Sequence, residues 1–101
     1  MGLYTQHIEN LKKGQVVSFR PHGNSMTPKI KSGQLCTIAP CDPRDLERGD
    51  IVLCKVKGMI FVHLVSATKH TEKQIQISNN HGYVNGWTGY GSIYGKLVSV
   101  E

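Results

Sequence analysis

Apolar positions follow two different periods along this chain, and the change falls at residue 14. Before it, Leu3, His7 or Ile8, and Leu11 recur at helical spacing, ahead of Lys12-Lys13-Gly14. Basic residues in a last turn and a glycine just beyond it form a helix stop, so the spacing predicts a short N-terminal helix within residues 1–14. A helix this short is marginal alone and has to pack its apolar stripe on the rest of the chain. From residue 15 the pattern alternates, and strands are predicted over residues 15–19, 35–39, 51–56, 59–67, 74–78 and 93–100. Lys57-Gly58 predicts a hairpin turn between the third and fourth of these. Asp42-Pro43 predicts a single helical turn capped by the aspartate. Short strands with little helix make a small, mostly β domain, with residues 1–14 as its helix and 15–101 as its β part.

The length of 101 residues fits one domain, and 39% apolar with 19% charged residues fits an ordinary globular chain. No apolar run approaches the roughly 18 residues that span a bilayer, and the N-terminus lacks a secretory pattern, so the cytoplasm is the expected compartment. The net charge of +5 favours anionic partners. The charge is spread along the chain without a dense basic block or interleaved stacking aromatics, which leaves nucleic acid open as a partner without a motif to support it. Cys36, Cys41 and Cys54 are an odd, low count for a disulfide framework. No pair of them has the close spacing of structural zinc sites, so they read as buried or idle thiols, with no metal or cofactor implied.

Three features carry candidate chemistry. Ser25, in Gly23-Asn24-Ser25-Met26-Thr27-Pro28, lies in a bent turn that can present a nucleophile together with exposed N–H groups. His63 falls mid-strand, on the face of Met59, Phe61 and Val65, while Ile60, Val62 and Leu64 take the other. Both faces are apolar, so the strand is central and a titratable group there needs a partner. Finally, residues 81–94 concentrate glycine with Tyr83, Trp87 and Tyr90. That stretch reads either as a surface loop or as a loop closing over a cleft with those aromatics as its contact surface.

The ordered set GNSMTPKIKSGQ, RGDIVL, FVHLV, ISNN and GKLVSV resembles the serine-protease superfamily that joins type I signal peptidases with LexA-like repressors, over residues 18–101. The resemblance implies Ser25 as nucleophile. It implies a general base at His63, a position occupied by lysine in bacterial signal peptidases and LexA-like proteins and by histidine in the endoplasmic-reticulum and archaeal type. A lysine base must shed about 3 pKa units by desolvation to be neutral near pH 7, whereas an imidazole starts near 6.5. Where the histidine-type enzymes carry an aspartate, this chain has Asn79, Asn80 and Asn85, any of which could orient His63 without balancing an imidazolium charge. His22 and His81 are other partners for it. Asn24, Met26 and Asn80 are the oxyanion or orienting candidates, and Met26, Tyr83 and Trp87 the substrate-binding ones.

The reading at this stage is a stand-alone serine peptidase with a Ser25–His63 dyad, acting on a protein or peptide in extended conformation. It lacks a membrane span and the Ala-Gly or Cys-Gly bond at which LexA-like proteins cut themselves. A homodimer through residues 93–100 is the assembly the resemblance suggests. The alternatives are a catalytically inactive peptide- or protein-binding module on the same fold, and a small basic regulator.

Overall fold

The structure, a computed structural model, describes residues 4–101. The predicted helix forms as α1 (Thr5–Lys12), and the Leu3 position of its expected stripe lies outside the described residues. Ile8 and Leu11 are its buried pair. The helix stops at Gly14, whose N–H donates to Leu11 O from a left-handed conformation. The strands are β1 (Val17–Phe19), β2 (Cys36–Ala39), β3 (Ile51–Val56), β4 (Met59–Lys69), β5 (Gln74–Ser78), β6 (Val84–Gly89) and β7 (Ile93–Val100). Lys57 and Gly58, at φ 50° and 83°, close the β3–β4 hairpin. Asp42 caps the single turn Pro43–Asp45 by accepting from Arg44 N.

All seven strands join one antiparallel sheet in the order β1-β2-β7-β3-β4-β5-β6. The central strands bury both faces. In β3, Leu53 packs with α1, Ile38 and Val62, while Val52, Cys54 and Val56 pack with Val65, Ile75 and Ile77. Side chains alternate across a strand, so these two cores lie on opposite faces of the sheet. Gly95 of β7 lies between β2 and the helix: a Cβ there would stand 2.7 Å from Ala39 O and Ile38 Cγ2 and 3.1 Å from Leu11 Cδ2.

The sheet rolls at its β6 end. Thr88 of β6 donates from its hydroxyl to Lys55 O of β3 at 2.7 Å, although β4 and β5 stand between those strands in the sheet order. The roll encloses the second core. It also corrects the sequence reading of residues 81–94, because that glycine-rich stretch is not one loop: it holds β6 and a 3-10 turn, Tyr90–Ser92, before β7. Glycine at positions 82, 86 and 89 hides the strand from propensity, and cross-strand pairing with β5 overrides it. Among the described residues, no helix is long and apolar enough to cross a membrane.

Candidate active site

Ser25 belongs to the turn between β1 and β2, and apolar anchors hold that turn in place. Met26 and Ile30 are both 4% exposed and plug into the α1 core, which leaves the Ser25 side chain between them and solvent. Ile30 N donates to Met26 O, while the Thr27 amide and hydroxyl both donate to Asn24 O. At the base of the turn, Gly23 N donates to Ser32 Oγ and Gly33 N to Pro21 O.

A second segment, between β5 and β6, grips this turn from the other side. Asn80 donates its backbone N–H to Ser25 O at 2.8 Å and its side-chain amide to Thr27 O at 3.0 Å. His81 Nε2 lies 2.9 Å from Asn24 O and 3.2 Å from Thr27 Oγ1. A carbonyl oxygen can only accept, so Nε2 carries the proton of that ring. Asn79 shapes the gripping segment itself, its Oδ1 accepting from the amides of His81 and Tyr83. The carbonyls on either side of the Ser25 amide are therefore fixed from outside the turn.

His63 meets this turn from the centre of β4. The ring is 6% exposed and stacks on Phe61, two residues away on the same face, with centroids 4.5 Å apart. Its Nε2 lies 3.1 Å from Ser25 Oγ. Its Nδ1 lies 2.8 Å from Asn85 Oδ1. An amide oxygen accepts only, so Nδ1 carries the proton and the lone pair of neutral His63 is at Nε2, facing the serine hydroxyl. Burial lowers the His63 pKa below the usual 6.5, and the Asn85 hydrogen bond opposes that shift. A neutral imidazole aimed at an exposed hydroxyl can accept its proton, and an exposed serine so relieved can attack a carbonyl carbon.

Asn85 reaches His63 because of a bulge. Ile77 pairs with Gly86 and Ser78 with Val84, so Asn85 is the extra residue of β6 and has no partner in β5. A bulged residue is freed from strict alternation, and its side chain can be re-aimed. Gly86 beside it adopts φ +140°, where a Cβ would also meet Lys57 Cε at 3.2 Å.

The structure thus brings together Ser25 and His63 and adds Asn85 as the residue on the far side of the ring. Asn80 touches the Ser25 turn and not His63, and His81 likewise. Of the proposed oxyanion residues, Asn24 offers its carbonyl to the turn. The amides of Asn24, Ser25 and Met26 donate no hydrogen bond among the described residues. A cleft of about 130 Å³ opens beside the dyad, lined by Ser25, His63, Met26, Ile30, Val62 and His22 among others. Met26 is therefore at the cleft, whereas Tyr83 and Trp87 are not among its lining residues. Tyr83 is 66% exposed in the turn before β6, and Trp87 carries Lys69 Nζ at 4.7 Å over its ring. The gripping role of Asn80 and His81 and the cleft contribution of Ile30 and Val62 carry no local sequence signal, since each depends on distant pairing.

Cys36 and Cys54 are buried free thiols. Burial pushes Cys54 up to about 12, which keeps it protonated and unreactive.

Residues 4–86 match the model of a family described as Peptidase S24-like. The chain belongs to that family. The match takes in Ser25, His63 and Asn85 alike, so the whole hydrogen-bonded row lies within the Peptidase S24-like region. Comparison with curated proteins found no match, and comparison with solved structures found none.

Proposed function

We propose that this Peptidase S24-like domain is a serine endopeptidase using Ser25 as nucleophile, His63 as general base and Asn85 to orient the base. The observation that carries the reading is the continuous row Ser25 Oγ, His63 Nε2, His63 Nδ1, Asn85 Oδ1, with spacings of 3.1 Å and 2.8 Å at its two hydrogen bonds. These are the contacts a Ser-His catalytic unit needs, and an asparagine in third place keeps the productive tautomer as it does in Cys-His-Asn proteases.

In the first step His63 Nε2 takes the Ser25 proton as Oγ bonds to the carbonyl carbon of a peptide. The carbonyl oxygen becomes an oxyanion, for which the amides of Ser25 and its neighbours Asn24 and Met26, which donate to none of the described residues, are available. The His63 imidazolium then gives its proton to the leaving amine as the C–N bond breaks. Water repeats the sequence on the ester, again losing its proton to His63, and Ser25 is regenerated. The substrate enters extended, with a side chain directed over the apolar floor of Met26, Ile30 and Val62.

Neutral Asn85 stabilises the imidazolium only through its amide dipole, and burial works against that charge. Turnover is therefore expected to be slower than that of a unit with a carboxylate in third place.

A fluorophosphonate probe tests the nucleophile. The expected result is a Ser25 Oγ–P bond with fluoride as leaving group, at a rate that falls when His63 is replaced by alanine. Equal labelling of wild type and Ser25→Ala would contradict the assignment.

A further inference from the structure

The cleft beside Ser25 does not end at the dyad. Tyr4 and His22 line it and also line a second groove of about 300 Å³, whose other walls are His7, Phe19 and Arg20. Phe19 lines it, with the Tyr4 ring centroid 5.0 Å away and the His7 ring stacked at 4.9 Å. The two depressions share walls, so a peptide lying extended over Ser25 can continue into the second.

The charge along this path has one sign. Arg20 is exposed, and one of its N–H groups donates to Gly33 O at 2.9 Å, which fixes the guanidinium and leaves its remaining donors open. His7 and His22 are ring donors on the same walls. Among the described residues, no aspartate or glutamate lines either groove. A guanidinium held in place by one bond and open at its other donors suits a carboxylate, which it can meet through charge-assisted hydrogen bonds.

We infer that this second groove is a subsite for an acidic side chain of the peptide substrate, read by Arg20 with support from His7 and His22. The inference rests on the peptidase reading for its substrate, but binding can be measured without turnover.

The test uses Ser25→Ala protein and octapeptides in an alanine-serine background, each carrying Glu, Gln or Lys at one position stepped along its length. At one register the Glu peptide is expected to bind about tenfold tighter than its Gln counterpart. The preference should shrink with rising salt. In Ser25→Ala/Arg20→Glu it should invert toward Lys at that same register, with an unchanged far-UV circular dichroism spectrum and melting temperature to report an intact fold. Three binding results would overturn the subsite: no peptide bound, Glu and Gln bound equally at every register, or a Glu preference untouched by Arg20→Glu. The last would assign the preference to the net charge of the domain. Cleavage by the wild type at sites without an acidic residue would sink the subsite and leave the peptidase standing. Acid-selective binding with no cleavage would do the reverse.

Discussion

Asn85 Oδ1 stands 2.8 Å from His63 Nδ1, although β5 separates their strands for most of its length. The contact exists because β5 ends at Ser78 and β6 bulges at Asn85 just there. This places an amide where the charge of an aspartate would favour the imidazolium more strongly, while the tautomer of the ring is unchanged.

Removing that amide should therefore cost catalysis more than stability. Asn85→Ala is expected to lower kcat on the order of 10²-fold, because His63 loses its orientation and tautomer preference. Asn85→Asp should raise turnover on the order of tenfold, the effect of about 1.4 kcal/mol better stabilisation of the imidazolium. Steady-state kinetics on the two variants check both. Equal rates in all three proteins would remove Asn85 from the mechanism.

The acid limb of the activity profile should lie below 6.5, since burial lowers the His63 pKa and the neutral ring is the active form. In Asn85→Asp the same limb should move up by about 1–3 units, because an adjacent carboxylate favours the charged ring. Stability carries the matching sign. A histidine with a lowered folded pKa binds fewer protons folded than unfolded, so His63 destabilises the fold as pH falls through the unfolded value near 6.5 and stops doing so below its folded pKa. Denaturant unfolding across that range should show this loss in wild type and not in His63→Ala.

Asn80 and His81 hold the Ser25 turn without touching His63. Asn80→Ala removes the donor to Thr27 O and leaves that carbonyl unpaired, without adding a charge near His63. Turnover should drop roughly 10- to 100-fold through misplacement of Ser25. The His63 limb of the pH profile should stay where it is, which separates this effect from that of Asn85.

Gly95 tests the seat of the helix. Gly95→Ala sets a Cβ against Ala39 O and Ile38 at 2.7 Å, and backbone cannot yield as a flexible side chain can. A loss of about 1–3 kcal/mol is expected by chemical denaturation. Tyr4 and His7 travel with α1, so peptide affinity in the outer groove should fall with it.

The sequence made much of this arrangement legible for a plain reason. The strands β3, β5 and β7 bury side chains in alternation or on both faces, and their bounds coincide with the expected residues 51–56, 74–78 and 93–100. His63 stood out as a polar residue on a strand apolar on both faces, and Ser25 as a hydroxyl within a Gly-Asn and Thr-Pro turn. What stayed hidden depends on register. Nothing local distinguishes Asn79, Asn80 and Asn85, yet one shapes a turn, one grips the nucleophile segment and one meets the base. Choosing among them requires knowing that β6 exists and where it bulges, and its glycines conceal both. Trp87, on that same strand, carries Lys69 Nζ over its ring and is not among the residues that line the cleft beside Ser25.

The central claim is that Ser25 and His63 together break peptide bonds in other proteins. Its most direct measurement compares newly formed protein N-termini in cells expressing the wild type, Ser25→Ala or His63→Ala. A set of termini produced by the wild type and missing from both variants is the predicted result. The same termini in all three would contradict the account and leave a cleft that binds without cutting.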